Sequence, residues 1–219
     1  VSSEQKNGEM LVSIGGHVLV VGHDTFKLET RTNPADTSVM DVYWSDNQKL
    51  DPASGELKGI LEARDQVLVK QLTGLNTLSA GLIAQVNTIH VNGYGANNAN
   101  GLNFFNGTDA SSITVNAAVD ASSIATSSAI NQPGNNTIAL QIAGLRNFKG
   151  MQAGTATLNE FYNSQVTDLA VTTKRASDNS YQHGLVVDAL GNQRESVVGA
   201  SLDEEAANMA KAQKAYQAA

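Results

Sequence analysis

The chain of 219 residues carries 14 Lys and Arg against 21 Asp and Glu, a net charge of −7, with 5% aromatic residues and no cysteine. Its longest basic run is Lys174-Arg175, which argues against a nucleic-acid partner, since phosphate backbones are bound through clustered cations. The absence of cysteine excludes disulfides and thiol catalysis and removes most structural zinc chemistry. No uninterrupted apolar run approaches the roughly 20 residues of a membrane span.

The first residues, Val1-Ser2-Ser3-Glu4-Gln5-Lys6, are expected to be an interdomain stretch. With no initiator Met and no secretory signal, the chain reads as an internal fragment. Residues 9–50 read as β structure. Met10–Ile14 and His17–Val21 are apolar runs joined by Gly15-Gly16, the signature of a hairpin with a primed turn. Phe26, Leu28 and Thr30 alternate, as do Val39, Asp41 and Tyr43 against Met40, Val42 and Trp44, and Asn33-Pro34 separates the two runs. Four short strands with one Trp make a thin core, so residues 1–50 are expected to be part of an antiparallel β domain completed by strands from elsewhere.

Asp51-Pro52-Ala53-Ser54-Gly55 closes this unit, and a long helix is expected from Glu56. Leu61, Leu68, Leu75, Leu82 and Ile89 recur every seven residues over about 35 residues, roughly 50 Å of helix, which predicts a helical bundle or coiled-coil rod. Gly74 and Gly81, also seven apart, mark a line along which another backbone could approach. Asn87 and His90 share a face near the helix end, where the imidazole can satisfy loop groups. An irregular insertion follows over 95–134, with Phe104-Phe105 expected to pin it and Ile113–Val115 as a strand. Asn136 is expected to cap a short helix.

From about Thr157 a second heptad run carries Tyr162, Leu169, Ala176, His183 and Leu190. Residues 51–200 therefore read as one helical domain. The segment 201–219 opens on a capping box, Ser201 with Glu204, backed by Asp203 and Glu205 at the positive end of the helix dipole. Leu202, Ala206, Met209, Gln213 and Tyr216 then fall at spacings of four and three, a coiled-coil seam. The fold class expected is α+β, a long antiparallel helical bundle with an antiparallel β domain at one end.

No catalytic constellation is present. His17, His23 and Asp24 lie near one hairpin but lack the spacing of a metal site. Asp203, Glu204 and Glu205 point in different directions on a helix and act as its cap. The Gly93-Tyr94-Gly95 and Gly191-Asn192-Gln193 stretches lack the strand and the Lys-Ser/Thr of a phosphate loop. No catalytic, cofactor-binding or metal-binding residue is assigned, and the chain is not expected to be an enzyme.

The closing stretch Ser201-Leu202-Asp203-Glu204-Glu205, with Asn208 and Gln213-Lys214-Ala215-Tyr216-Gln217-Ala218, resembles the C-terminal motif of bacterial flagellar axial proteins. Its Leu-Asp-Glu-Glu form is most like the hook-associated protein 1 family, the hook–filament junction proteins. Upstream, Ser54–Leu61, the Asn87-x-x-His90-x-x-Gly93 pattern, Gly101, Phe104-Phe105 and Asn135-Asn136 follow that family's order. The resemblance implies a structural protein of the extracellular flagellum, secreted through the flagellar type III export apparatus with a dedicated export chaperone. It further implies terminal helices pairing into a coiled coil that assembles copies of the chain into a ring between the hook protein and the second hook–filament junction protein. The isolated chain is expected to be a monomer, with no membrane partner. Another axial protein such as the hook protein is the alternative within this class, and a secreted enzyme or adhesin the alternative outside it.

Overall fold

The structure is a computed structural model that describes residues 2–6, 9–34, 36–198 and 202–217, with side chains described over 11–34, 36–196 and 207–217. The chain divides into two compact units, Val1–Phe161 and Tyr162–Ala219. The first unit opens with a four-stranded antiparallel sheet in sequential order, β1 (Ser2–Lys6), β2 (Glu9–Ile14), β3 (His17–Val21) and β4 (Asp24–Thr25). Gly15 and Gly16 join β2 to β3 with φ of 59° and 84°. Both central residues of a type I′ turn need that left-handed region, which glycine reaches without strain. The register slips between Val12 and Ser13, a bulge that bends the pair. Ser2–Lys6, expected as a linker, is instead a strand paired with β2 from Ser2↔Ser13 to Lys6↔Glu9. Its polar composition hid it, because an edge strand is held by its backbone and needs no apolar alternation.

A second sheet pairs β5 (Leu28–Thr32) with β6 (Met40–Trp44). Its end meets the first helix at a buried ionic junction. Asp41, only 2% exposed, accepts from Lys49 Nζ at 2.9 Å and Arg64 Nη2 at 3.2 Å. Arg64 Nη1 also donates to the Met40 carbonyl. Trp44, Leu50 and Pro52, close in sequence to Asp41 and Lys49, are also buried, and His17 stacks on Trp44 with centroids 5.0 Å apart. Arg64 sits in a π-helical turn, Ala63–Leu68, between α1 (Glu56–Glu62) and α2 (Val69–His90). Such a turn inserts an extra residue into the helical ladder, a phase change that the uniform leucine heptad concealed.

The residues buried on α2 are Gly74, Ile83, Val86 and His90, whereas Leu68, Leu72 and Leu75 of the heptad face are exposed. Gly81 is approached by a side chain and not by a second backbone: a Cβ there would lie 2.5 Å from Met151 Sδ. Met151 forms a small core with Ala156 and Phe161, against which Leu78 and Leu158 pack. The helical stretch Glu56–His90 is, by length and mean hydropathy, apolar enough to cross a membrane. Counting uninterrupted runs missed this, because Thr, Gly and Gln punctuate the stretch without lowering its average much.

Beyond α2 come a short pair, β7 (Phe105–Asn106) and β8 (Thr114–Val115), then α3 (Thr137–Gly144). Asn136 stands at the N-cap of α3 without a side-chain cap bond. Its neighbour Asn135 supplies the acceptor, with Oδ1 taking the Thr137 N–H at 3.1 Å. The 41-residue α4 (Leu158–Val198) begins on a reciprocal capping box absent from the sequence reading. Glu160 N–H donates to Thr157 Oγ1 at 3.1 Å, and Thr157 N–H donates to Glu160 Oε2 at 2.8 Å, which satisfies two of the donors a helix start leaves free. In the second unit, the α4 residues Tyr162, Val166, Val187 and Leu190 are exposed, and α5 spans Leu202–Gln217. The structure thus combines helices with small antiparallel sheets.

Candidate functional site

Near the end of α2 two side chains, Asn87 and His90, bind the insertion that follows. Asn87 Nδ2 donates to the Phe105 carbonyl at 2.8 Å, while its Oδ1 accepts the backbone N–H groups of Phe104 and Phe105, each at 2.9 Å. A single amide thus replaces three strand-type bonds and starts β7. His90, 1% exposed, spans two distant parts of the loop. Its Nδ1 lies 2.7 Å from the Leu102 carbonyl, and its Nε2 accepts the Ala125 N–H at 3.0 Å. A carbonyl needs a donor and an N–H needs a lone pair, so these partners select the neutral tautomer with hydrogen on Nδ1. The Phe104 ring meets the imidazole edge-on at 5.4 Å, and Phe105 meets Phe104 at 4.8 Å.

Asn76 extends the same line, its Oδ1 accepting the Ala110 N–H at 3.2 Å. The sequence reading did not single it out. Its signal was the spacing to Asn87, since 11 residues make just over three helical turns and return a side chain to one face. Gly93 closes the site: a Cβ there would lie 2.7 Å from Ile138 Cγ1 and 2.8 Å from Ala125 Cβ. We expect Gly93→Ala to destabilise the chain by about 1–3 kcal/mol through overpacking, measured by urea unfolding; an unchanged midpoint would show that the insertion yields freely.

The insertion is also braced internally by a sequence repeat, Asp109-Ala110-Ser111-Ser112-Ile113 and Asp120-Ala121-Ser122-Ser123-Ile124. Both copies fold alike. Asp109 Oδ1 accepts the N–H and hydroxyl of Ser111 and of Ser112, and Asp120 Oδ1 does the same with Ser122 and Ser123. The serine hydroxyls hold the Asp120 carboxyl down at about 2, and the Asp109 carboxyl is lowered by the same bonds. A carboxyl lowered on folding contributes stability above its unfolded value, and that contribution is lost as pH falls through the folded value. Amide exchange at Ser122 and Ser123 is therefore expected to accelerate between about pH 4 and pH 2 in excess of the intrinsic trend. Asp120→Asn should abolish that excess; if the variant retains it, the carboxylate is not its source.

In α5, Met209, Gln213 and Tyr216 are exposed, Tyr216 to 87%. Ser201 lies outside the described residues, and so do the side chains of Leu202, Glu204 and Ala206. Among the described residues no cluster of three His, Cys, Asp or Glu is placed to hold a metal. His17 is occupied by its stack on Trp44. The geometry supports one physical act, the fastening of an irregular insertion to a helix.

Residues 1–105 match the family model of the flagellar hook-associated protein FlgK helical domain. The match covers 105 of the 219 residues, just under half of the chain. No curated protein matches the chain. The FlgK match takes in both sheets of the N-terminal part, α1, α2 and the fastening residues Asn87, His90, Phe104 and Phe105. The FlgK family is one of structural proteins of the flagellum and not a family of enzymes.

Proposed function

We propose that this chain serves as a junction protein joining the flagellar hook to the filament. The observation that carries the proposal is the FlgK helical-domain match over residues 1–105. In this reading copies of the chain form a ring between the hook protein and the second hook–filament junction protein after export with a chaperone. The segment 201–219 is the start of a coiled-coil helix whose seam is Leu202, Ala206, Met209, Gln213 and Tyr216. Exposure of Met209 and Tyr216 supports this assignment, since a seam waiting for a partner leaves its knobs in solvent. Gln213 within the seam would specify register at some cost in stability. The long helices form the inner, axial part of the assembly and the β strands its outer part.

The test is complementation of a strain lacking the protein. Met209→Asp is expected to abolish swimming while the exported protein keeps the melting curve of the parent, because the side chain is exposed before assembly. Swimming at parental speed would remove α5 from the assembly interface.

A further inference from the structure

Beside the fastened insertion, α2 and the segment Thr137–Phe148 enclose an open groove of about 510 Å3. Ala84 and Ile89 form one wall, and Gly144, Leu145 and Phe148 the other. Its lining carries no charged residue. Phe148 is 52% exposed, so a large apolar group of the lining faces water. The facing residues Ala84 and Gly144 are small, and a Cβ built on Gly144 would meet nothing within 4 Å. An apolar trough with small residues opposite one another is the form that accepts the apolar stripe of a helix.

The charge around it narrows the occupant. Both chain segments that build the groove, 66–108 and 121–159, contain Lys70, Arg146 and Lys149 and not one Asp or Glu, in a chain of net charge −7. Arg146 and Lys149 directly follow the lining residues Leu145 and Phe148 in the chain, and among the described residues Arg146 makes no ion pair. Lys149 lies near enough to Glu160 to help lower that carboxyl, which leaves Arg146 as the freer cation. A second copy docking by this same face would set these cations against one another. We propose that the groove is the docking site for an acidic amphipathic helix of a partner protein. The helix would lay its apolar stripe against Ile89, Leu145 and Phe148 and point carboxylates at Arg146 and Lys149. The proposal is independent of the junction role and concerns a face formed wholly within the first unit.

The probe is a synthetic amphipathic helix of about five turns with a Leu/Ala stripe flanked by Glu, compared by fluorescence anisotropy with the same helix flanked by Lys. With the whole chain in low salt, the Glu helix is expected to bind about tenfold more tightly, and less so as salt screens the rim. Arg146→Glu with Lys149→Glu should reverse the order. Gly144→Trp should abolish binding of both helices while the melting temperature holds. Equal binding of the two helices, or binding that survives Gly144→Trp, would overturn the proposal. So would self-association of the chain that Gly144→Trp abolishes, which would give the groove to a second copy.

Discussion

Replacing His90 with alanine is expected to cost about 3–5 kcal/mol of unfolding free energy. The imidazole is almost fully buried and holds the Leu102 carbonyl and the Ala125 N–H from opposite ring atoms. Truncation leaves both backbone groups without partners, at roughly 1–3 kcal/mol each, and opens a cavity beside Phe104. His90→Gln should lose less, because an amide offers one donor and one acceptor in place of the ring. Urea unfolding with amide exchange at Ala125 separates these effects. Loss of less than about 1 kcal/mol in the alanine variant would mean that water replaces the ring at no great cost. Protection at Ala125 lost without global unfolding would instead show the insertion opening as a local unit.

The second large effect is expected at the junction of the β5–β6 pair with the helix, and it should be strongly non-additive. Asp41 is 2% exposed and is met by both Lys49 and Arg64. Removing either cation leaves the other in place. Removing both strands a buried carboxylate, a condition that costs about 3–5 kcal/mol. Lys49→Ala and Arg64→Ala should therefore each be mild, with the double variant exceeding their sum by about 1–3 kcal/mol. Adding Asp41→Asn to the double variant should recover much of the loss, since the charge is then absent. Simple additivity in a double-mutant cycle would show that the carboxylate is hydrated and that the junction is held by Trp44, Leu50 and Pro52 alone.

Both effects arise where a polar side chain on one element meets backbone or charge from a distant part of the chain, and legibility in the sequence follows that distinction. Asn87 and His90 could be picked out from their shared helix face, but Leu102 and Ala125 as partners could not. Those atoms come to the ring only through the path of the insertion. Asn76 was missed for the same reason, its partner Ala110 lying 34 residues on. The capping box on α4 was legible in the Thr157 and Glu160 spacing, the same Thr/Ser-x-x-Glu pattern that Ser201 and Glu204 carry. The repeated Asp-Ala-Ser-Ser-Ile segments were visible as letters, and the matching serine bonds to Asp109 and Asp120 follow because each serine lies within three residues of its aspartate.

Local features are readable from the order of residues alone. The Gly15-Gly16 turn, the helix beginning at Glu56 and ending at His90, and the helix from residue 158 all rest on neighbours a few residues apart, and the absence of thiol chemistry rests on composition alone. Long-range packing sets which stripe of α2 is buried, makes Ser2–Lys6 a strand, brings Arg64 of the π turn to Asp41 and places Met151 against Gly81. Periodicity says that a helix has an apolar face, but which part of that face is covered depends on what the rest of the chain brings to it. The leucine heptad was the conspicuous pattern, while Ile83, Val86 and His90 are the residues that this fold encloses.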